Sequence, residues 1–424
     1  MSWKKETNCI QAGYTPKNGE PRVLPIYQST TYKYDSADHL GKLFDLEADG
    51  HMYSRISNPT VSAVEEKINV LEGGVGALCT SSGQAANLLA ILNITSAGEN
   101  FISLSSIYGG TINLFAVTLK RMGIEVRFIT PDMDDAQIEA LFDDKTRLVF
   151  GETIANPALD VLDIEKYAKL AHAHKVPLVV DNTFATPILC TPIEFGADIV
   201  VHSTTKYMDG QATVVGGVIV DSGNFDWSVD GKYPGLTQPD ESYHGVVYTK
   251  NFGKAAYITK ARVQLMRDFG VLPPAAAAFM LNSGLTTLHL RMERHSSNAL
   301  AVAKHLEKHE KIAWVNYPGL ESSKDYALAK KYLPDGCSGV ISFGVKGGRE
   351  AAVKFMDSLE LAAIVVHVAD ARTCVLHPAS TTHRQLTDDQ LKAAGIGSDL
   401  VRMSIGIEHV DDIIEDIDNA LAKV

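Results

Sequence analysis

Lys206 follows the apolar run "DIVVHS" (198–203) by three residues. If that run is a buried strand, the lysine sits in a partly desolvated pocket. There its pKa falls and its amine becomes a nucleophile. The other reading is a lysine whose stem carries its ammonium out to solvent. Asp181 closes a second apolar run, "VPLVVD", and Glu152 closes a third, "RLVFGE" (147–152). Asp181 is either a buried acid or the cap of the turn that follows. Ser81, Ser82, Gly83 and Gln84 come after "GALCT" (76–80) and open a helical stretch. A Ser-Gly turn entering a helix suits a phosphate, because free N–H groups and the helix dipole converge there. Ser203 and Thr205 add hydroxyls beside Lys206. Tyr108, in "SIYGGT", offers an aromatic face for stacking or for ordinary packing.

These residues need a frame that brings strand ends together. From about residue 63 to 260, short β-branched runs alternate with amphipathic helices. The expected strands are "GALCT" (76–80), "NFISL" (100–104), "EVRFIT" (125–130), "RLVFGE" (147–152), "PLVVD" (177–181), "DIVVHS" (198–203) and "GGVIV" (216–220). Helices are expected over Gln84–Ile94 and Ile164–His174, the latter with Ile164, Tyr167, Ala168 and Ala171 on one face. Unalternated apolar strands are covered on both faces, which predicts a mostly parallel seven-stranded sheet sandwiched by helices. In such sheets ligands gather at the carboxyl ends of the strands, where the polar residues above fall.

Residues 1–62 read as an irregular arm, rich in Pro and Tyr, that must lie on its own domain or on a neighbouring subunit. Residues 63–264 form the large domain. Residues 265–424 restart the pattern as a smaller α+β domain. It has a long helical stretch (Ala275–His309), a strand "GVISFGV" (339–345), a helix (Arg349–Leu359), further short strands and a C-terminal helix (Val410–Ala422).

A phosphate cradle, an acid at one strand end and a lysine after the next are the parts that pyridoxal 5'-phosphate requires. The lysine forms a Schiff base, and the acid keeps the pyridine nitrogen protonated so that the ring draws electrons. Competing anion motifs fail on spacing. "GGVG" (73–76) precedes its strand and lacks a third glycine, and neither a GxxxxGK[ST] loop nor a GxSxG elbow occurs.

Composition agrees with an enzyme of this kind. Hydrophobic residues make up 45% of the 424 and charged residues 21%, an ordinary globular balance. The net charge of −12 argues against nucleic-acid binding, which needs basic groups on phosphates. No apolar run approaches the roughly 20 residues of a membrane span, and the N-terminus lacks the apolar stretch of a secretory signal. The five cysteines form no CxxC pair, which points to a reducing, cytoplasmic setting without disulfides. A zinc site is not expected, since His172 and His174 point to different faces of one helix.

The ordered motifs "YSRISNPT" (53–60), "SSGQAA" (81–86), "YGGT" (108–111), "ETIANP" (152–157), "VDNTFATP" (180–187), "HSTTKYMDG" (202–210) and "LVRMSIGIE" (400–408) resemble the Cys/Met-metabolism family of pyridoxal-phosphate enzymes. The resemblance spans essentially the whole chain. "PGLTQPDESYHGVVY" (234–248) and "LHPASTTHRQL" (376–386) are most similar to its O-acetylhomoserine sulfhydrylase branch. It implies an aspartate-aminotransferase-like, type I fold. It also implies γ-replacement of the acetyl group of O-acetyl-L-homoserine by sulfide or a small thiol, a step of methionine biosynthesis.

The resemblance further implies residue roles. Lys206 would carry the cofactor and Asp181 would pair with its ring nitrogen. Tyr108 would stack on the ring and assist proton transfer. Ser82, Gly83, Gln84, Ser203 and Thr205 would hold the phosphate, joined by Tyr53 and Arg55 from a neighbouring subunit. Asn156 would contact the cofactor's phenolic oxygen, with Glu152 near the same wall. Arg402 would grip the substrate α-carboxylate, with Asn156 and Tyr53 nearby; taken alone, Arg402 reads as a surface ion pair. A homotetramer of dimers that share active sites is implied as well.

One segment departs from the pattern. His367-Val368-Ala369-Asp370-Ala371 stands where the branch usually has Asn-Val-Gly-Asp-Ala, which bears on the acyl donor and the thiol acceptor. Alternative activities are cystathionine γ-synthase or γ-lyase chemistry and methionine γ-lyase chemistry. Gly110 stands against the last, since those enzymes often have cysteine there. A non-catalytic binding protein would lack the lysine or the acid, and neither is missing.

Overall fold

A computed structural model of the chain describes residues 3–381 and 397–424. The last part of "LHPASTTHRQL", residues 382–386, lies outside the described residues. The arm begins with two short helices, α1 (Lys5–Gln11) and α2 (Ala37–Phe44), separated by irregular chain. Helix α3 (Pro59–Glu72) then runs across the residue 62/63 boundary. Asn58 Oδ1 caps it by accepting from the Thr60 and Val61 N–H groups, and Gly73 ends it in the left-handed region.

The large sheet has seven strands in the order β1-β7-β6-β5-β4-β2-β3. They are β1 (Gly76–Thr80), β2 (Asn100–Leu104), β3 (Glu125–Ile129), β4 (Thr146–Glu152), β5 (Leu178–Asp181), β6 (Ile199–His202) and β7 (Gly217–Asp221). The five central and distal strands pair in parallel, while β7 runs antiparallel to both β6 and β1. The expected mostly parallel seven-stranded sheet is therefore present, within a residue or two of each predicted end. Alternate residues feed two cores. Val180, Val200 and Val218 face α3 with Val64 and Ile68, whereas Val179, Val201 and Ile219 face helix α4 (Gly83–Leu92) with Leu89 and Ala90.

The second sheet orders its strands β10-β11-β12-β9-β8: β8 (Ile312–Asn316), β9 (Val340–Val345), β10 (Ala363–Ile364), β11 (Cys374–Leu376) and β12 (Leu400–Ser404). Helices Leu288–Leu306 and Gly348–Asp357 pack on it, and Val410–Ala422 packs against those two helices. The expected continuous helix from Ala275 to His309 is instead two helices, Ala275–Thr286 and Leu288–Leu306, separated at Thr287. Arg291, early in the second helix, spans that break. Its guanidinium turns back to donate to the Gly284 carbonyl and to the carbonyls of Tyr207 and Met208.

Candidate active site

The strand ends carry the predicted chemistry to one place. Glu152 ends β4, Asp181 ends β5, and Ser203, Thr205 and Lys206 follow β6. All five line a cavity of about 900 Å³, together with Ser82, Gly83, Gln84, Tyr108, Asn156, His367 and Arg402. Arg402 arrives from β12 and His367 from the loop after β10, so the second sheet closes the side that the first leaves open.

The anion end is built by close approach. Ser82 Oγ caps α4 through the Ala85 N–H, leaving the Gly83 and Gln84 N–H groups without an intrahelical acceptor. A Cβ on Gly83 would stand 2.7 Å from Ser203 Cβ, and one on Gly217 would stand 2.3 Å from the Ser82 carbonyl oxygen. Only glycines let the β1–α4 turn, β6 and β7 meet here. Gln84 Oε1 and Asn87 Oδ1 are buried there without partners. The free helical N–H groups beside them are donors that an anion would accept from.

The acid end is tied to it by Thr183. Its hydroxyl donates to Asp181 Oδ1 at 2.5 Å and accepts from the Ser203 N–H at 2.8 Å. Its own N–H also donates to Asp181, at 3.0 Å. Beneath, Glu72 Oε1 accepts from Asn182 Nδ2 (3.0 Å) and pairs with His202 Nε2 (2.6 Å), fixing both strand ends from the α3 side. Burial raises the Asp181 pKa, against the Thr183 hydrogen bond. Burial raises Glu152 well above the carboxylate range, and the Asp181 charge adds to this. Two adjacent carboxylates in this condition call for a cation between them and the cavity.

Lys206 is driven the other way. Burial lowers its pKa, and the neighbouring Arg402 charge lowers it further. Arg402 donates from Nη1 to Asn156 Oδ1 at 2.9 Å, while its buried Nε has no partner. Glu152 holds the same wall, accepting from the Tyr108 N–H (2.7 Å) and the Asn156 N–H (3.1 Å). The Tyr108 ring lies against Gly110, where a Cβ would come within 2.5 Å of Cε1. A helix end with free N–H donors, a paired-carboxylate end and a low-pKa lysine in the same cavity match the phosphate, ring nitrogen and aldehyde of pyridoxal phosphate.

Two predicted residues stand elsewhere. Tyr53 and Arg55 do not line this cavity in their own chain. Tyr53 is exposed, and the Arg55 guanidinium lies 5.2 Å from its ring centroid. Sequence reasoning missed Asn87, Thr111 and Thr183, all of which line the cavity. Asn87 was findable, because it lies four residues after Gly83 and so on the same helix face. Among the described residues no cluster could hold a metal ion, and no helix is long and apolar enough to cross a membrane.

A family model described as Cys/Met metabolism PLP-dependent enzyme matches residues 6–422. The chain is 45% identical over 433 residues to the O-acetyl-L-homoserine sulfhydrylase of Leptospira meyeri, covering 100% of this chain and 98% of the relative. It is 48% identical over 419 residues to the homocysteine synthase of Schizosaccharomyces pombe, covering 98% and 97%. A Campylobacter jejuni crystal structure, described as an O-acetylhomoserine (thiol)-lyase with N'-pyridoxyl-lysine-5'-monophosphate, superposes with a TM-score of 0.95. That match has 36% identity and covers 99% of this chain and 100% of the other.

Proposed function

We propose that this chain, which belongs to the Cys/Met metabolism family of PLP-dependent enzymes, replaces the acetyl group of O-acetyl-L-homoserine with sulfide or a small thiol. The products are acetate and L-homocysteine, or methionine when the thiol is methanethiol. The observation that carries this reading is the convergence of Lys206, Asp181, the α4 N-terminus and Arg402 on one cavity. Relatives named O-acetyl-L-homoserine sulfhydrylase and homocysteine synthase support the choice of reaction.

Pyridoxal phosphate, when bound, supplies an electron sink for charge released at the substrate Cα. The chain's own groups do the rest. The Gly83 and Gln84 N–H groups, with Ser82, Ser203 and Thr205, hold the phosphate. Asp181 holds the proton on the ring nitrogen, and Thr183 keeps its carboxylate aimed. Tyr108 covers the ring and assists proton transfer. Lys206 Nζ tethers the cofactor and, once released, carries the proton of the substrate Cα. Arg402 binds the α-carboxylate through a two-pronged contact, and Asn156 sets its orientation and meets the cofactor's phenolic oxygen. Tyr53 and Arg55 serve the site of a neighbouring subunit, which fits their place outside their own cavity. A dimer that shares sites, pairing into a cytoplasmic homotetramer, completes the reading. Residues 1–62, 63–264 and 265–424 then act as arm, cofactor domain and closing domain.

The test is product analysis of the loaded enzyme. With O-acetyl-L-homoserine and sulfide, homocysteine and acetate form in equal amounts. Without sulfide, little α-ketobutyrate accumulates. Abundant α-ketobutyrate with or without sulfide would establish a γ-lyase instead.

A further inference from the structure

The cavity contains a histidine that the reaction above does not use. His367 lies on the segment between β10 and β11, flanked by Val366 and Val368, and all three line the cavity. Its buried Nε2 makes no hydrogen bond, and Asp370 Oδ2 stands 3.9 Å away, beyond hydrogen-bond reach. We infer that position 367 is where the acyl end of the substrate pocket reads charge: with an uncharged side chain there, the pocket admits an uncharged acyl ester and rejects one that ends in a second anion. This rests on the proposed function, because it takes the α-carboxylate at Arg402 and Cα at Lys206.

The argument is one of available cations. Among the described residues lining the cavity, the fixed positive side chains are Lys206 and Arg402. The first is taken up by cofactor and Cα, the second by the α-carboxylate, and Arg55 supplied by a neighbouring subunit, on the same proposed reading, by the cofactor phosphate. A succinyl or phospho ester brings a further anion that loses its hydration on entry and needs a third cation. His367 is the one remaining basic group among those lining residues. Its charge is opposed by burial, by Lys206 and by Arg372, and favoured by Asp370 and Asp209, with a net lowering of its pKa. Burial thus disfavours its charged form, and the valines on either side make an environment suited to an acetyl group. Selectivity arises from a missing counter-ion as much as from any attraction.

The test compares O-acetyl- and O-succinyl-homoserine, each with sulfide, on the loaded wild-type enzyme and on His367→Asn and His367→Lys. The wild type prefers the acetyl ester by at least about tenfold in kcat/KM. His367→Asn keeps that preference within about threefold, whereas His367→Lys reduces it at least tenfold, mainly through a lower KM for the succinyl ester. Calorimetry with succinate and acetate gives a readout without turnover, with succinate gaining affinity only in His367→Lys. In the wild type, lowering pH toward the titration of His367 raises relative use of the succinyl ester, which decides the matter should the lysine variant fail to fold. A wild type that uses both esters equally, a pH-independent ratio, or a folded His367→Lys with the wild-type preference overturns the inference. A wild type that binds cofactor yet turns over neither ester overturns the functional reading on which it rests.

Discussion

Glu152 and Asp181 are register partners on the last rung of the β4–β5 ladder, so two carboxylates end neighbouring parallel strands side by side at the cavity. Burial raises both pKa values above the ordinary carboxylate range. The folded chain therefore binds these protons more tightly than the unfolded chain does. Their stabilising contribution is complete below the ordinary carboxylate pKa and is lost as pH rises through the raised values. Cofactor-free protein should lose thermal stability as pH rises from about 4 to 7, and Asp181→Asn should lose less. Thermal melts of both proteins across that range decide it, and equal slopes would count against the pairing.

Glu152 also acts as a joint between two functional groups, through the backbone of Tyr108 and of Asn156. Buried intramolecular hydrogen bonds contribute about 0.5–1.5 kcal/mol each. Glu152→Ala should lower kcat/KM roughly 10–100-fold, whereas Glu152→Gln, which keeps one oxygen acceptor, should lose less. Steady-state kinetics with a visible spectrum of each loaded variant measures the difference.

Arg402→Lys keeps the charge but not the planar fork that meets both Asn156 and a carboxylate. The expected result is a KM for the acyl donor raised roughly 10–100-fold with a smaller change in kcat. A larger fall in kcat than rise in KM would move Arg402 from binding to chemistry.

Lys206→Ala should abolish turnover while leaving a folded protein, since among the described residues the side chain makes no hydrogen bond that holds the loop. Sharing of sites between subunits adds a sharper test. Lys206→Ala and Arg55→Ala subunits, each inactive alone, should regain about a quarter of wild-type activity when unfolded and refolded together, as mixed dimers form one intact site. No recovery would place Arg55 outside the neighbour's site.

Much of this was legible in the chain because buried parallel strands write themselves as short apolar runs with a polar residue at the end. Asp181, Glu152 and Lys206 could be found that way, and the Ser82-Gly83 turn by its helix start. The break at Thr287 is signalled only by Gly284, which opens the turn and whose carbonyl accepts from the Thr287 N–H and from Arg291. The Tyr207 carbonyl that Arg291 also reaches comes from distant chain. Strand β8 was also missed. Its run Ile312-Ala313-Trp314-Val315 is apolar, but nothing in it shows that the strand lies at a sheet edge with Trp314 exposed. Thr183 lay inside a motif that was read, but its hydroxyl gains meaning only once β5 and β6 set Asp181 and Ser203 on either side of it.

The segment that carries Lys206 is fastened at several points to the other half of the molecule. Tyr207 Oη accepts from the Gly339 N–H (2.8 Å), Gly210 O accepts from the Ala371 N–H (2.9 Å), and Arg291 Nη1 donates to Tyr207 O (2.6 Å). A bound chromophore on that lysine is then a built-in gauge of how well the two halves are joined. On warming, its colour should fade when the C-terminal sheet lifts away, ahead of the melting of the large sheet beneath.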